Sequence, residues 1–162
     1  MHIMMIAKHK ELLQILLCLV VASVLALTAH IYVSEWVKPI LDSMMRGISS
    51  EAPPYSSFII SIAYATACLT VGVKVFIYYH AQHLLPKWSN PIKTFLVACI
   101  NLEFNGNLIR QPIMDFLVNQ TTGLKTPFLF VIINSVAKWI SALLIAACLV
   151  YFCPKGSQNS FE

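Results

Sequence analysis

Charge is what this sequence has least of. Only 11% of its 162 residues are charged, against about a quarter in soluble domains. Eleven Lys and Arg with seven Asp and Glu are too few to cover a globular shell of this size. With a mean hydropathy of +0.73, this excludes a water-soluble fold. The Lys and Arg residues are scattered singly, without a run or a basic stripe, so the net charge of +4 carries no nucleic-acid footprint. Also missing are G-x-S-x-G, H-E-x-x-H, a Gly-rich phosphate loop and the paired aspartates of an intramembrane protease. Five cysteines, Cys18, Cys68, Cys99, Cys148 and Cys153, fall in or beside apolar runs, with no C-x-x-C and no paired Cys/His spacing. That argues against a disulfide scaffold, a zinc site and a membrane thiol oxidase; free Cys is an ordinary small core residue. Cys153, just past the last apolar run, is a candidate for acylation. No cofactor is expected.

Hydrophobic residues, by contrast, make up 58% of the chain and gather into four stretches of bilayer length, about 12–33, 57–83, 91–118 and 127–152. Each has punctuation at an end. Ser56 or Ser57 can cap the second after Pro53 and Pro54; Asn90-Pro91 and Thr126-Pro127 open the third and fourth; Pro154 and Gly156 close the last. The expected fold is an all-α four-helix transmembrane bundle, residues 1–162 forming one integral membrane domain. Trp36, Val37, Ile40, Leu41, Met44, Met45 and Ile48 recur at helical spacing, which predicts a separate amphipathic interfacial helix over about 36–48, with Pro39 starting or kinking it. A cleavable signal peptide competes for the first stretch, since Lys8 and Lys10 precede it, but no clean A-x-A site follows.

Short-loop charges set the expected orientation. With the N-terminus inside, Lys8, Lys10, Lys87, Lys93 and Lys155 lie inside, and Lys38, Arg46 and Lys125 outside. The bias places both termini in the cytoplasm, and the expected location is a bacterial inner membrane.

Ionisable side chains within a span cost roughly 2.5–3.5 kcal/mol each on insertion scales, so each is a site candidate unless it reaches an interface. Lys74 and Arg110 lie within reach of span ends and can snorkel. Glu103 and Lys138 lie near the middle of the third and fourth stretches, which predicts a Glu103–Lys138 pair across neighbouring helices. Spacing extends each into a stripe: Glu103, Asn107 and Arg110 on the third, Asn134, Lys138 and Ser141 on the fourth, and Thr66, Thr70, Lys74 and Tyr78 on the second. Asn101, Asn105 and Gly106 add a second polar edge to the third helix, which is therefore expected to be central. Ala22 with Ala26, and Ala142 with Ala146, are placed to let helices approach closely. His80 and His83, at i and i+3, are weak metal candidates.

Three functions are compatible with this pattern. In the first, Lys74, Glu103, Asn107, Arg110, Asn134 and Lys138 form a net-positive cluster that binds or passes a small polar or anionic ligand, in the manner of a transporter or channel, as an oligomer. In the second, the same groups clasp helices in a non-catalytic subunit or assembly factor of a membrane complex. The third is a lipid-modifying enzyme at the cytoplasmic interface, built on Tyr78, Tyr79, His80 and His83. The expected partners are the lipid bilayer, a second copy or another membrane protein, and a small polar or anionic ligand; no nucleic acid is expected.

Overall fold

Proline and serine positions decide where the helices of the computed structural model begin. It describes residues 2–45, 56–85, 87–121, 124 and 126–154. Arg46, Ile48, Pro53, Pro54, Lys125, Lys155 and Gly156, which entered the expectations above, lie outside them. Five α-helices and no strand occur among the described residues: α1 His2–Met44, α2 Ser57–Ala81, α3 Asn90–Phe104, α4 Arg110–Thr121 and α5 Pro127–Phe152, with a 3-10 turn, Gln82–Leu84, after α2. The Ser56 hydroxyl caps α2 by accepting the Ile59 N–H at 3.4 Å, as its place in the sequence predicts. In α5, Thr126 is the cap residue and Pro127 begins the helix. α3 starts one residue earlier than expected, with Ser89 in the cap position.

Three segments are long and apolar enough to cross a membrane: His9–Met44, Ser57–Leu84 and Pro127–Phe152. The expected third span is not one helix. Residues 91–118 are broken between α3 and α4, each of which, at about 22 and 18 Å, is shorter than the roughly 30 Å hydrocarbon core. The break is a Schellman stop: the Asn107 N–H bonds the Leu102 carbonyl at 2.8 Å and the Gly106 N–H bonds the Glu103 carbonyl at 2.7 Å, with Gly106 at φ +65°. A left-handed residue ends an α-helix, and glycine adopts that conformation without a Cβ penalty. Pro112 then falls in the first turn of α4, where proline removes no intrahelical hydrogen bond.

The expected interfacial helix is not separate either. α1 runs without interruption through Pro39 to Met44. Its 43 residues extend about 65 Å, so the 36–44 part of the amphipathic pattern is the last two and a half turns of the first helix.

The chain packs around α5, not around the third segment. α5 lies against α1, α3 and α4, and touches α2 more lightly. α1 and α5 are antiparallel: the Cys18 thiol approaches the Cys148 carbonyl at 3.6 Å, and the Ser141 hydroxyl donates to the Ala26 carbonyl at 3.2 Å. Between those points Ala22 and Ala146 are each 0% exposed, and Ala26 and Ala142 are buried beside them. The small residues do what their spacing predicts, bringing two backbones close enough for a side chain of one to bond a carbonyl of the other. α2 runs antiparallel to α1, with Gly72 so near that a Cβ there would lie 3.3 Å from Leu19 Cδ1. Toward the chain ends, the Tyr79 hydroxyl donates to Glu11 Oε1 at 2.5 Å and the Gln82 amide donates to the Pro154 carbonyl at 2.9 Å. Residues 11 and 154 therefore share one end of the helix cluster.

Candidate functional site

α2 packs on α1, and α3 packs on α5, but α2 and α3 scarcely touch each other. A lateral groove of about 140 Å³ remains between them. Helical spacing decides its walls. From α2, Lys74, Tyr78 and Ala81 succeed one another at steps of three and four residues, with Ile77 beside them; from α3 come Val97, Ile100, Asn101 and Phe104. Leu149 of α5 and Leu85 also line the groove. Three of these residues carry polar side chains and the rest are apolar.

Asn101 is the unusual member. It is 7% exposed, and neither its amide nitrogen nor its amide oxygen has a hydrogen-bond partner. A buried polar group without a partner costs about 1–3 kcal/mol, so such groups call for an explanation beyond packing. Lys74, half-buried on the facing wall, makes no ion pair among the described residues. Tyr78 is half-buried one turn from Lys74. The lower threonines of the same stripe contribute nothing, because Thr66 bonds the Ile62 and Ala63 carbonyls and Thr70 bonds the Thr66 carbonyl, all within α2.

The six expected site residues do not form one cluster. Lys74 lines this groove. Asn134 lines a second cavity of about 410 Å³ between the distal part of α1 and the first half of α5, near Glu35, Lys38 and Asp42. Glu103 and Arg110 are exposed, and Asn107 is half-buried in the turn between α3 and α4. The stripe Glu103, Asn107, Arg110 assumed a continuous helix, and the Schellman stop removes the shared face. Lys138 is half-buried on α5, but among the described residues no ion pair joins it to Glu103. The expected charge pair is absent because Glu103, at the last turn of α3, faces outward.

The His80 and His83 positions are likewise separate from the groove. His80 is exposed, with its ring edge-on to Phe76 and Tyr79 at 4.5 and 5.1 Å; His83 is exposed in the 3-10 turn. No group of three or more His, Cys, Asp or Glu among the described residues is placed to hold a metal ion. The Tyr79 hydroxyl is engaged by Glu11, which ties α1 to α2. Cys153, just past α5, is buried; hydrogen bonding with Cys18 first, and burial second, hold its thiol well above the ordinary range, which keeps it protonated and unreactive.

Asn101 and Tyr78 were visible in the sequence only as members of polar edges. Their sharing one groove with Lys74 depends on how α2 and α3 are placed and on the gap between them. The chain matches no family model, no curated protein and no solved structure.

Proposed function

We propose that this is a multi-pass membrane protein that binds a small polar or anionic ligand in the groove between α2 and α3. The supporting observation is the unpartnered Asn101 amide, on a wall facing a lysine without a counter-ion. Lys74, Asn101 and Tyr78 line a cleft whose walls are otherwise apolar, and a mostly hydrophobic lining with a few polar side chains is the usual pattern of a ligand pocket. The ends of α1, α2, α3 and α5 that gather near residues 11 and 154 are flanked by Lys10, Lys87 and Lys93, and this end is assigned to the cytoplasm.

The test is ligand-dependent stabilisation of the purified chain in nonionic detergent. A panel of soluble carboxylates, inorganic phosphate and anionic amphiphiles is screened for a rise in unfolding midpoint; the underlying gain in stability is set by mass action at about 2.7 kcal/mol when ligand stands at a hundred times its Kd. Some member is expected to stabilise the wild type and to lose that effect in Lys74→Met. If no anion acts, or if Lys74→Met responds equally, the groove is not the site.

One observation favours the second function, a subunit of a membrane complex. α4 has no buried residue, and it exposes Arg110 and Gln111, groups poorly suited to acyl chains. A polar partner surface or water must lie against it. Native mass measured after gentle extraction would decide this: a monomer carrying no second chain would speak against it.

A further inference from the structure

The polar part of the groove is small and carries one formal charge. Lys74 supplies an ammonium with three donors, Asn101 an amide that donates and accepts, and Tyr78 a hydroxyl. Everything else on the walls is hydrocarbon. The lips are apolar as well: Ile77, Ile100 and Phe104 are all exposed large hydrophobics, so the mouth between α2 and α3 opens sideways onto the space that acyl chains fill in a bilayer. A ligand matched to these walls is charged at one end and apolar along the rest.

Charge and size narrow the class further. One ammonium, in a groove with no acidic residue in its lining, neutralises one negative charge. A phosphate monoester, at nearly two, would be left partly uncompensated in a medium that penalises unpaired charge. A cavity of about 140 Å³ has room for several water-sized groups, enough for a compact head and the first carbons of one chain, but not for a glycerophosphate carrying two. A carboxylate offers two oxygens and about four lone pairs. With the Lys74, Tyr78 and Asn101 side chains turned toward the cavity they line, these can accept from Lys74 Nζ, from Asn101 Nδ2 and from the Tyr78 hydroxyl, while a remaining ammonium proton serves Asn101 Oδ1. Both orphaned atoms of Asn101 are then satisfied.

We infer that the groove takes a long-chain fatty carboxylate from the bilayer, head between Lys74, Tyr78 and Asn101, tail leaving past Ile77, Ile100 and Phe104. This rests on the groove being the ligand site, and names the ligand class for it. Entry is lateral, through the gap between α2 and α3, and needs no aqueous path.

The experiment uses the full chain in nanodiscs of zwitterionic lipid and a fatty acid bearing a diazirine near its carboxylate and a terminal alkyne. Illumination is expected to label α2 and α3 at groove residues, and excess palmitate is expected to suppress that label. Lys74→Met and Asn101→Leu should each reduce it about tenfold or more, the loss of a charge-assisted or neutral hydrogen bond, whereas Lys74→Arg should retain most of it. Ile100→Trp, which fills the mouth without touching the head site, should abolish it. Unfolding midpoints of all variants show whether they remain folded. Label spread evenly over outward faces, or unaffected by Lys74→Met and Ile100→Trp in folded protein, overturns the inference. Suppression by acetate or inorganic phosphate as effectively as by palmitate overturns it too, but leaves the groove as a site for a soluble anion. If neither fatty acid nor any soluble anion responds to Lys74→Met, the groove reading falls with it.

Discussion

Replacing Asn101 by leucine separates a binding residue from a structural clasp by the sign of one number. In the ligand-free chain the Asn101 amide is 7% exposed and both its polar atoms lack partners, so folding carries an uncompensated desolvation cost of about 1–3 kcal/mol. Leucine has a similar branched shape, carries no polar atom, and borders a cavity of about 140 Å³, so overpacking is not expected to offset the gain. Asn101→Leu is therefore expected to raise stability by about 1–3 kcal/mol while abolishing ligand-dependent stabilisation. Were Asn101 bridging two helices instead, its loss would destabilise, by about 0.6 kcal/mol on the average of interhelical hydrogen bonds in membranes and up to about 1.7. Equilibrium unfolding in mixed micelles, followed by tryptophan fluorescence and far-UV circular dichroism, measures the difference. A variant about 0.6 kcal/mol or more less stable than wild type, in the absence of any added anion, would refute the assignment of an orphaned amide.

Two further outcomes follow from the geometry. Gly106→Ala should cost about 1–2 kcal/mol, because alanine must take the left-handed conformation at φ +65°; space is not the obstacle, since a Cβ there would be 3.6 Å from Arg110 Cδ. Gly106→Asn should cost less, and equal unfolding midpoints for wild type and Gly106→Ala would contradict the helix stop. Glu103→Gln and Lys138→Met, whose side chains form no ion pair with each other among the described residues, should combine additively within about 0.5 kcal/mol in a double-mutant cycle. A coupling well above that would show that the two charges meet after all.

Much of the helix layout was legible in one dimension. Thr126-Pro127 and Cys153-Pro154 bracket α5 because proline fits a helix start and disfavours helix in the residue before it. The burial of Ala22, Ala26, Ala142 and Ala146 was also readable, since small residues one turn apart have few other uses on long apolar helices. The break in the third segment was readable in principle: Asn105-Gly106-Asn107 followed by Pro112 is a stop and a restart, but the apolar run around it carried the pattern of a longer helix. Counting Asn107 and Arg110 as one face with Glu103 followed from that, and so did the depth argument for the Glu103–Lys138 pair.

Composition and periodicity determined that this chain is helical, that it has helices apolar enough to cross a membrane, and where α2 and α5 begin and end, because those properties depend on residues near one another along the chain; that three helices and not four are long enough was decided by the break at Gly106. Which polar residues meet was decided only in three dimensions. Lys74 and Asn101 are 27 positions apart and line one groove because α2 packs on α1 while α3 packs on α5, leaving a gap that no local pattern encodes. Glu103 and Lys138, equally prominent in the sequence, form no ion pair among the described residues: Glu103 is exposed in the last turn of α3, and Lys138 is half-buried on α5.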